Sequence, residues 1–128
     1  MPSRETGPSL DTVRLVLERD RERCVLCLCW VAAGERGKHW VIHHRRPRAM
    51  GGTRRQSTNY PSNLVTLCRG CHDHVEKERA WARDEGLILW QSQDPAREPI
   101  HHNQGWRLLG ETGAWRPADP PEEAGDAA

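Results

Sequence analysis

Two Cys-x-x-Cys pairs, Cys24–Cys27 and Cys68–Cys71, are separated by forty residues (28 to 67) in a chain of 128. No other feature narrows the possible folds as far. Each short spacing lets backbone N–H groups turn toward the sulfurs, and two such knuckles can surround Zn²⁺ with four thiolates. A closed four-cysteine site is structural, because no coordination position is left for water. It supplies on the order of 10 kcal/mol of apparent binding energy to a small domain. This chain has use for it: Phe is absent and Tyr60 is the single tyrosine. A folded part of roughly 100 residues buries only a modest core. The competing reading is four unrelated buried or oxidised cysteines. Cys29, the fifth, is either a spare or a substitute ligand.

The surroundings of these cysteines favour metal over disulfide. The N-terminal stretch MPSRETGPSLD lacks the apolar core of a signal peptide, and no run of about 18 apolar residues exists to span a membrane. The expectation is a cytoplasmic, reducing location, where paired Cys-x-x-Cys reads as metal binding. Net charge is only +1, but it is unevenly spread. From Arg36 to Arg83 there are eleven basic residues against three acidic ones, and from Glu111 onward one against five. A basic middle with an acidic end suggests an anionic partner, nucleic acid first, although a solvated charged face would look the same.

Taken in order, residues 1–9 read as a flexible arm. Leu10, Val13, Val16 and Leu17 form an amphipathic stripe, so a helix capped by Ser9 or Asp11 is predicted to about Arg21. Lys38 to His44 reads as a strand. Arg45 to Ser62 is a loop of 18 residues, long enough to suggest a function. Asn63 to Leu67 reads as a second strand. A helix from Cys71 or His72 to about Glu85 should stop at Gly86, and Leu87 to Trp90 reads as a further strand. Trp106 to Leu109, the Gly110/Gly113 turn and Trp115 suggest a hairpin. A single domain over residues 10–116, with its core in 24–85, and a disordered acidic tail over 117–128 complete the expected organisation.

Between the cysteine pairs lies a second pattern: His43-His44-x-x-Pro47-Arg48-x-x-Gly51-Gly52, then Asn63-Leu-Val-x-Leu67-Cys68-x-x-Cys71-His72. Taken together, these spaced elements resemble the HNH endonucleases, and most closely the small four-cysteine type common in bacteriophages and bacteria. The resemblance covers about residues 24 to 85. It implies an α+β fold of the ββα-metal kind, here with structural zinc, an N-terminal helix and a C-terminal β-hairpin extension. It places His43 and His72 as ligands of a catalytic divalent ion, His44 as general base, and Asn63 as the residue that orients the base and tightens the loop. Some members carry another His four residues after the second ligand. This chain has Glu76 there, on the same helix face as His72, either as a third ligand or as plain helix surface. The ion would be Mg²⁺ or Mn²⁺, with Ni²⁺ or Zn²⁺ as alternatives. The implied products carry 5′-phosphate and 3′-hydroxyl ends.

The residue types suit that chemistry. A neutral imidazole, with an ordinary pKa near 6.5, accepts a water proton near neutral pH. Adjacent side chains on a strand point to opposite faces, so His43 and His44 serve one phosphate only where the strand ends or bends. Arg45, Arg46, Arg48, Arg54 and Arg55 are expected phosphate contacts that position the DNA strand, and Gly51-Gly52 would let backbone approach DNA. His74 falls on a different helix face, toward solvent or phosphate. A metal-dependent DNA endonuclease, nicking or cutting both strands, is the leading expectation. The alternative is a non-catalytic zinc module that binds nucleic acid or a protein. By resemblance to phage members, a terminase is one such partner, and the location would then be the host cytoplasm.

Overall fold

The structure is a computed structural model that describes residues 7–47 and 56–121. Helix α1 (Leu10–Arg19) begins where expected: Ser9 Oγ accepts from the Thr12 N–H at 3.2 Å, and Asp11 sits in the first turn, favourable for the helix dipole. Val13, Val16 and Leu17 are its buried apolar face. It ends at Asp20, and Arg21 and Glu22 then take left-handed φ values of 58° and 56°. The chain turns through the first cysteine knuckle, closed by Cys24 N–H to Cys29 C=O (2.9 Å) and Leu28 N–H to Cys24 C=O (2.9 Å).

Strand β1 (Trp40–His44) pairs antiparallel with β2 (Leu64–Cys68), with Trp40 opposite Cys68 and His44 opposite Leu64. Side chains alternate across this hairpin, and both faces are covered. Trp40 and Ile42 pack with Val13 and Leu17 of α1 and with Val31. On the other face Val65 and Leu67 join Val75, Ala82, Leu87, Ile88 and Ile100 in the larger cluster. α2 (Arg69–Lys77) starts directly from β2, with the Cys68 sulfur accepting from Cys71 N–H. A break at Glu78 (φ −107°, ψ 64°) separates it from α3 (Arg79–Asp84), so the single long helix expected there is two.

Leu87–Trp90 does not form a strand. Its apolar residues record burial: Leu87, Ile88 and Leu89 are core, and Leu89 N–H bonds Arg45 C=O (2.7 Å) rather than a ladder. Gly86 just before it has φ +74° and backs onto the Pro99 carbonyl, where a Cβ would come within 2.1 Å. β3 (Ile100–His102), β4 (Gly105–Leu109) and β5 (Trp115–Pro117) make a second antiparallel sheet. The expected hairpin is β4–β5, with Leu109 opposite Trp115, and β3 adds a strand to it. No helix among the described residues is long and apolar enough to cross a membrane.

Two of the arginines expected on DNA are inside the protein. Arg45 is fully buried, and its guanidinium donates to the carbonyls of Gly86 (2.8 Å), Ser62 (3.0 Å), Pro95 (3.0 Å) and Glu98 (2.8 Å). Burial, with Arg19 nearby, pulls its pKa down to about 9. Arg46 is 6% exposed and donates to Gln93 C=O (2.9 Å) and Ser57 Oγ (2.6 Å). Both guanidiniums tie the long loop to the chain after α3, because a planar fork can satisfy several loop carbonyls at once. Arg48, Arg54, Arg55 and Gly51-Gly52 lie outside the described residues, as do 1–6 of the expected arm and 122–128 of the expected tail.

Arg45→Met should lower stability by about 3 kcal/mol or more, since several buried carbonyls would lose their donor together. The check is a urea titration of the zinc-loaded protein. An unchanged midpoint would contradict the structural role.

Candidate metal centre and catalytic cleft

The two knuckles meet. The sulfurs of Cys24, Cys27, Cys68 and Cys71 lie within 4.8 Å of one another, and Cys27 Sγ is 3.8 Å from Cys68 Sγ. A tetrahedron with Zn–S of about 2.3 Å has sulfur–sulfur edges of about 3.8 Å. A disulfide would need about 2.05 Å, and all five cysteines are free. Burial pushes the Cys24 and Cys71 thiols up, aided by neighbouring sulfurs. At Cys27 burial works the same way, but hydrogen bonds from Cys29, Cys24 and Cys68 outweigh it and bring the thiol down to about 7. Four thiolates this close need a cation, and the donor set suits Zn²⁺. Cys29 stands outside the four-sulfur group, with its thiol pushed up to about 12 by burial and by Cys27 and Cys68.

The clamp delivers the second group. Cys71 is followed at once by His72 on α2, and β1 carries His43 on the hairpin face toward that helix. The rings of His43 and His72 stand 5.5 Å apart between centroids. One ligand atom each from His43, His72 and Glu76 falls within 4.8 Å of the other two. His43 is buried, and its Nε2–H donates to Leu87 C=O at 2.6 Å. That bond leaves the Nδ1 lone pair for a ligand, in the way an outer carbonyl commonly orients a metal-binding imidazole. His72 Nε2 lies 3.7 Å from Glu76 Oε1, while its buried Nδ1 has no hydrogen-bond partner among the described residues. Two imidazoles, a carboxylate and an orphaned buried nitrogen fit a divalent ion held by few protein ligands.

These three residues line a cleft of about 220 Å³ together with Ile42, His44, Pro47, Arg79 and Ile88. His44 shares it with His43 because β1 ends there and the chain bends at Arg45. His44 is half-buried, and its Nε2–H donates to Asn59 Oδ1 at 2.9 Å. Asn63 is fully buried and works on backbone. Its Oδ1 accepts from Arg46 N–H (2.7 Å), and its Nδ2 donates to Arg46 C=O (3.1 Å) and Thr58 C=O (2.8 Å). Asn63 therefore staples the two ends of the long loop, and Asn59 holds the imidazole. Asn59 carries no sequence signal, because its place depends on how the loop returns. Arg79 was legible in principle: it follows Glu76 by three and His72 by seven, and its guanidinium meets Glu76 Oε2 at 2.7 Å. His74 is turned away from the cleft, edge-on to Trp81 at 4.8 Å.

The family model described as HNH endonuclease matches residues 24–78, a span that holds both cysteine pairs and, of the cleft residues, His43, His44, His72 and Glu76. Nothing among curated proteins or solved structures matches the chain.

Burial lowers the His43 pKa to about 4, against a smaller opposing effect of the Leu87 carbonyl. The unfolded chain therefore binds this proton at higher pH than the native one. Stability from neutral His43 is full above about pH 6.5. It should be lost as pH falls toward about 4. Urea titrations of zinc-loaded wild type and His43→Asn across that range should show a shallower acid loss in the variant. Parallel curves would contradict the assignment.

Proposed function

We propose that this chain, whose residues 24–78 match the HNH endonuclease family model, is a metal-dependent endonuclease that hydrolyses DNA phosphodiester bonds. The observation that carries the reading is the single cleft in which His43, His72 and Glu76 bring their ligand atoms together beside His44. His43, His72 and Glu76 would hold the divalent ion. When bound, the ion supplies Lewis acidity at the phosphate and at the leaving 3′-oxygen.

The side chains divide the remaining work. His44 takes the proton of the attacking water through Nδ1, since Nε2–H is engaged by Asn59. Asn59 thereby sets the tautomer and limits rotation of the ring. Asn63 keeps the loop ends at Arg46 and Thr58 in register, which fixes where β1 stops and where His44 faces. Arg79 is close enough to the ligand group to exchange Glu76 for a phosphate oxygen once Glu76 turns to the ion. Attack in line with the 3′-oxygen leaves a 5′-phosphate and a 3′-hydroxyl.

One observation favours a second reading. The Arg79–Glu76 ion pair engages one oxygen, Oε2, of the carboxylate that the ion would need. If that pair is permanent, the chain is a zinc-stabilised module that binds nucleic acid or a protein without cutting.

Supercoiled plasmid incubated with the zinc-loaded protein and Mg²⁺ or Mn²⁺ separates the two. The nuclease reading expects nicked or linear product, with His44→Ala slower by about 100-fold or more. Equal rates for wild type and His44→Ala would remove His44 as the base. Salt-dependent DNA binding without cleavage under either ion would establish the second reading.

A further inference from the structure

A second cleft, of about 1060 Å³, opens on the α1 side of the hairpin and shares no lining residue with the ion cleft. It runs from the end of α1 past the first cysteine knuckle to β3 and β5. We propose that it binds the unpaired bases of single-stranded nucleic acid. Binding here stands independently of the nuclease reading, since it needs neither the ion nor cleavage.

The first argument is aromatic. Trp30 is 67% exposed and Trp115 is 38% exposed, and both line this cleft. In a chain this poor in aromatic residues, two indoles left open at one place are costly unless a partner covers them. Each carries a guanidinium against one ring face, Arg23 at 4.0 Å from the Trp30 ring and Arg107 at 3.6 Å from that of Trp115. The stacked arginines hold the rings in place along the cleft, and both indoles keep surface open to a ligand. A base offers a flat π-face to an indole whatever its sequence, and Arg beside it adds a cation–π contribution.

The second argument is charge. Arg19 and Asp20 neutralise one another at 2.9 Å. With that pair set aside, and with Arg14 paired to Asp11 at 3.9 Å, Arg21, Arg23 and Arg107 stand against Glu18 and Glu22 among the lining residues. The excess is positive and sits around the indoles, the combination of backbone attraction and stacking platform that suits a single strand. A duplex keeps its base faces stacked inside and could use only the charge.

The third argument is the backbone. Arg21, Glu22 and Leu28 (φ 63°) are the non-glycine residues with left-handed φ among those described, and all three line this cleft. Such positions are strained for any residue with a Cβ. They end α1 and close the knuckle, and in doing so they set Arg21, Arg23 and Trp30 around one opening. Strain of this kind concentrates where side chains must be held for a ligand.

The test is fluorescence anisotropy of labelled oligothymidylate, oligouridylate and a duplex, using the full zinc-loaded chain without added divalent ion. The wild type should bind single strands more tightly than duplex, and preference between the first two identifies DNA or RNA as the ligand. Trp30→Ala/Trp115→Ala should weaken single-strand binding roughly tenfold or more. Arg21→Glu, which keeps both rings, should also weaken it, and it decides the matter if the double variant misfolds. Arg97→Ala, exposed and outside both clefts, should bind as wild type does. The proposal is overturned if Arg21→Glu or a folded double variant retains full affinity. It is equally overturned if polyglutamate competes as well as oligothymidylate, which would mark the cleft as a site for an acidic protein segment.

Discussion

Four sulfur atoms hold together two parts of the chain that would otherwise meet only at the cost of closing a forty-residue loop. Everything chemical depends on that closure. Cys68 ends β2 and caps α2, and Cys71 lies one residue before His72, so the clamp sets the angle at which α2 leaves the hairpin. That angle decides whether His72 and Glu76 reach His43. The clamp also joins the first knuckle to β2 beside Thr66, where Val25 N–H bonds Thr66 C=O at 3.0 Å. With few aromatic residues in the core, the loop-closure entropy has to be met elsewhere, and a metal–thiolate cage is the available source.

The cage alone would leave the long loop and the chain after α3 undirected. Buried guanidiniums direct them. Arg19 donates to Pro61 and Leu64 carbonyls (2.8 and 2.6 Å) and fixes the start of β2. Arg45 gathers carbonyls from both sides of the fold. Such groups are expensive to bury, and they persist because every guanidinium nitrogen of Arg19 and Arg45 has a partner. One result bears on the proposed site: the Arg45 network brings Gly86 and Leu87 under β1, and the Leu87 carbonyl holds the His43 ring. The segment between α3 and the C-terminal sheet is thus part of the support for the proposed ion cleft.

The cysteine clamp, the helix at Ser9, the β1–β2 hairpin, the β4–β5 hairpin and the approach of His43 to His72 were legible in the sequence, because each rests on local spacing or on residue types with few other uses, while Glu76 was legible only as sharing a helix face with His72. Arg45 and Arg46 were not. An arginine beside two histidines reads as a phosphate contact, and nothing local says that the carbonyls of Ser62, Gly86, Pro95 and Glu98 will converge on Arg45. Leu87–Leu89 misled for a related reason, since a short apolar run looks the same in a strand and in a buried irregular segment. Asn59 and the indole cleft depend on how distant segments return, which periodicity does not encode.

The central claim is that one chain carries two metal sites of opposite character, a closed thiolate cage and an open imidazole–carboxylate cleft, joined at the Cys71–His72 peptide. Cobalt(II) titration of the metal-free protein, followed by visible absorption, tests it directly. The account predicts two equivalents. The first should develop the intense charge-transfer and d–d bands of a tetrahedral tetrathiolate, and the second only weak absorption. His72→Ala should lose the second and keep the first. A single equivalent in the wild type, or a second equivalent that survives His72→Ala, would contradict it.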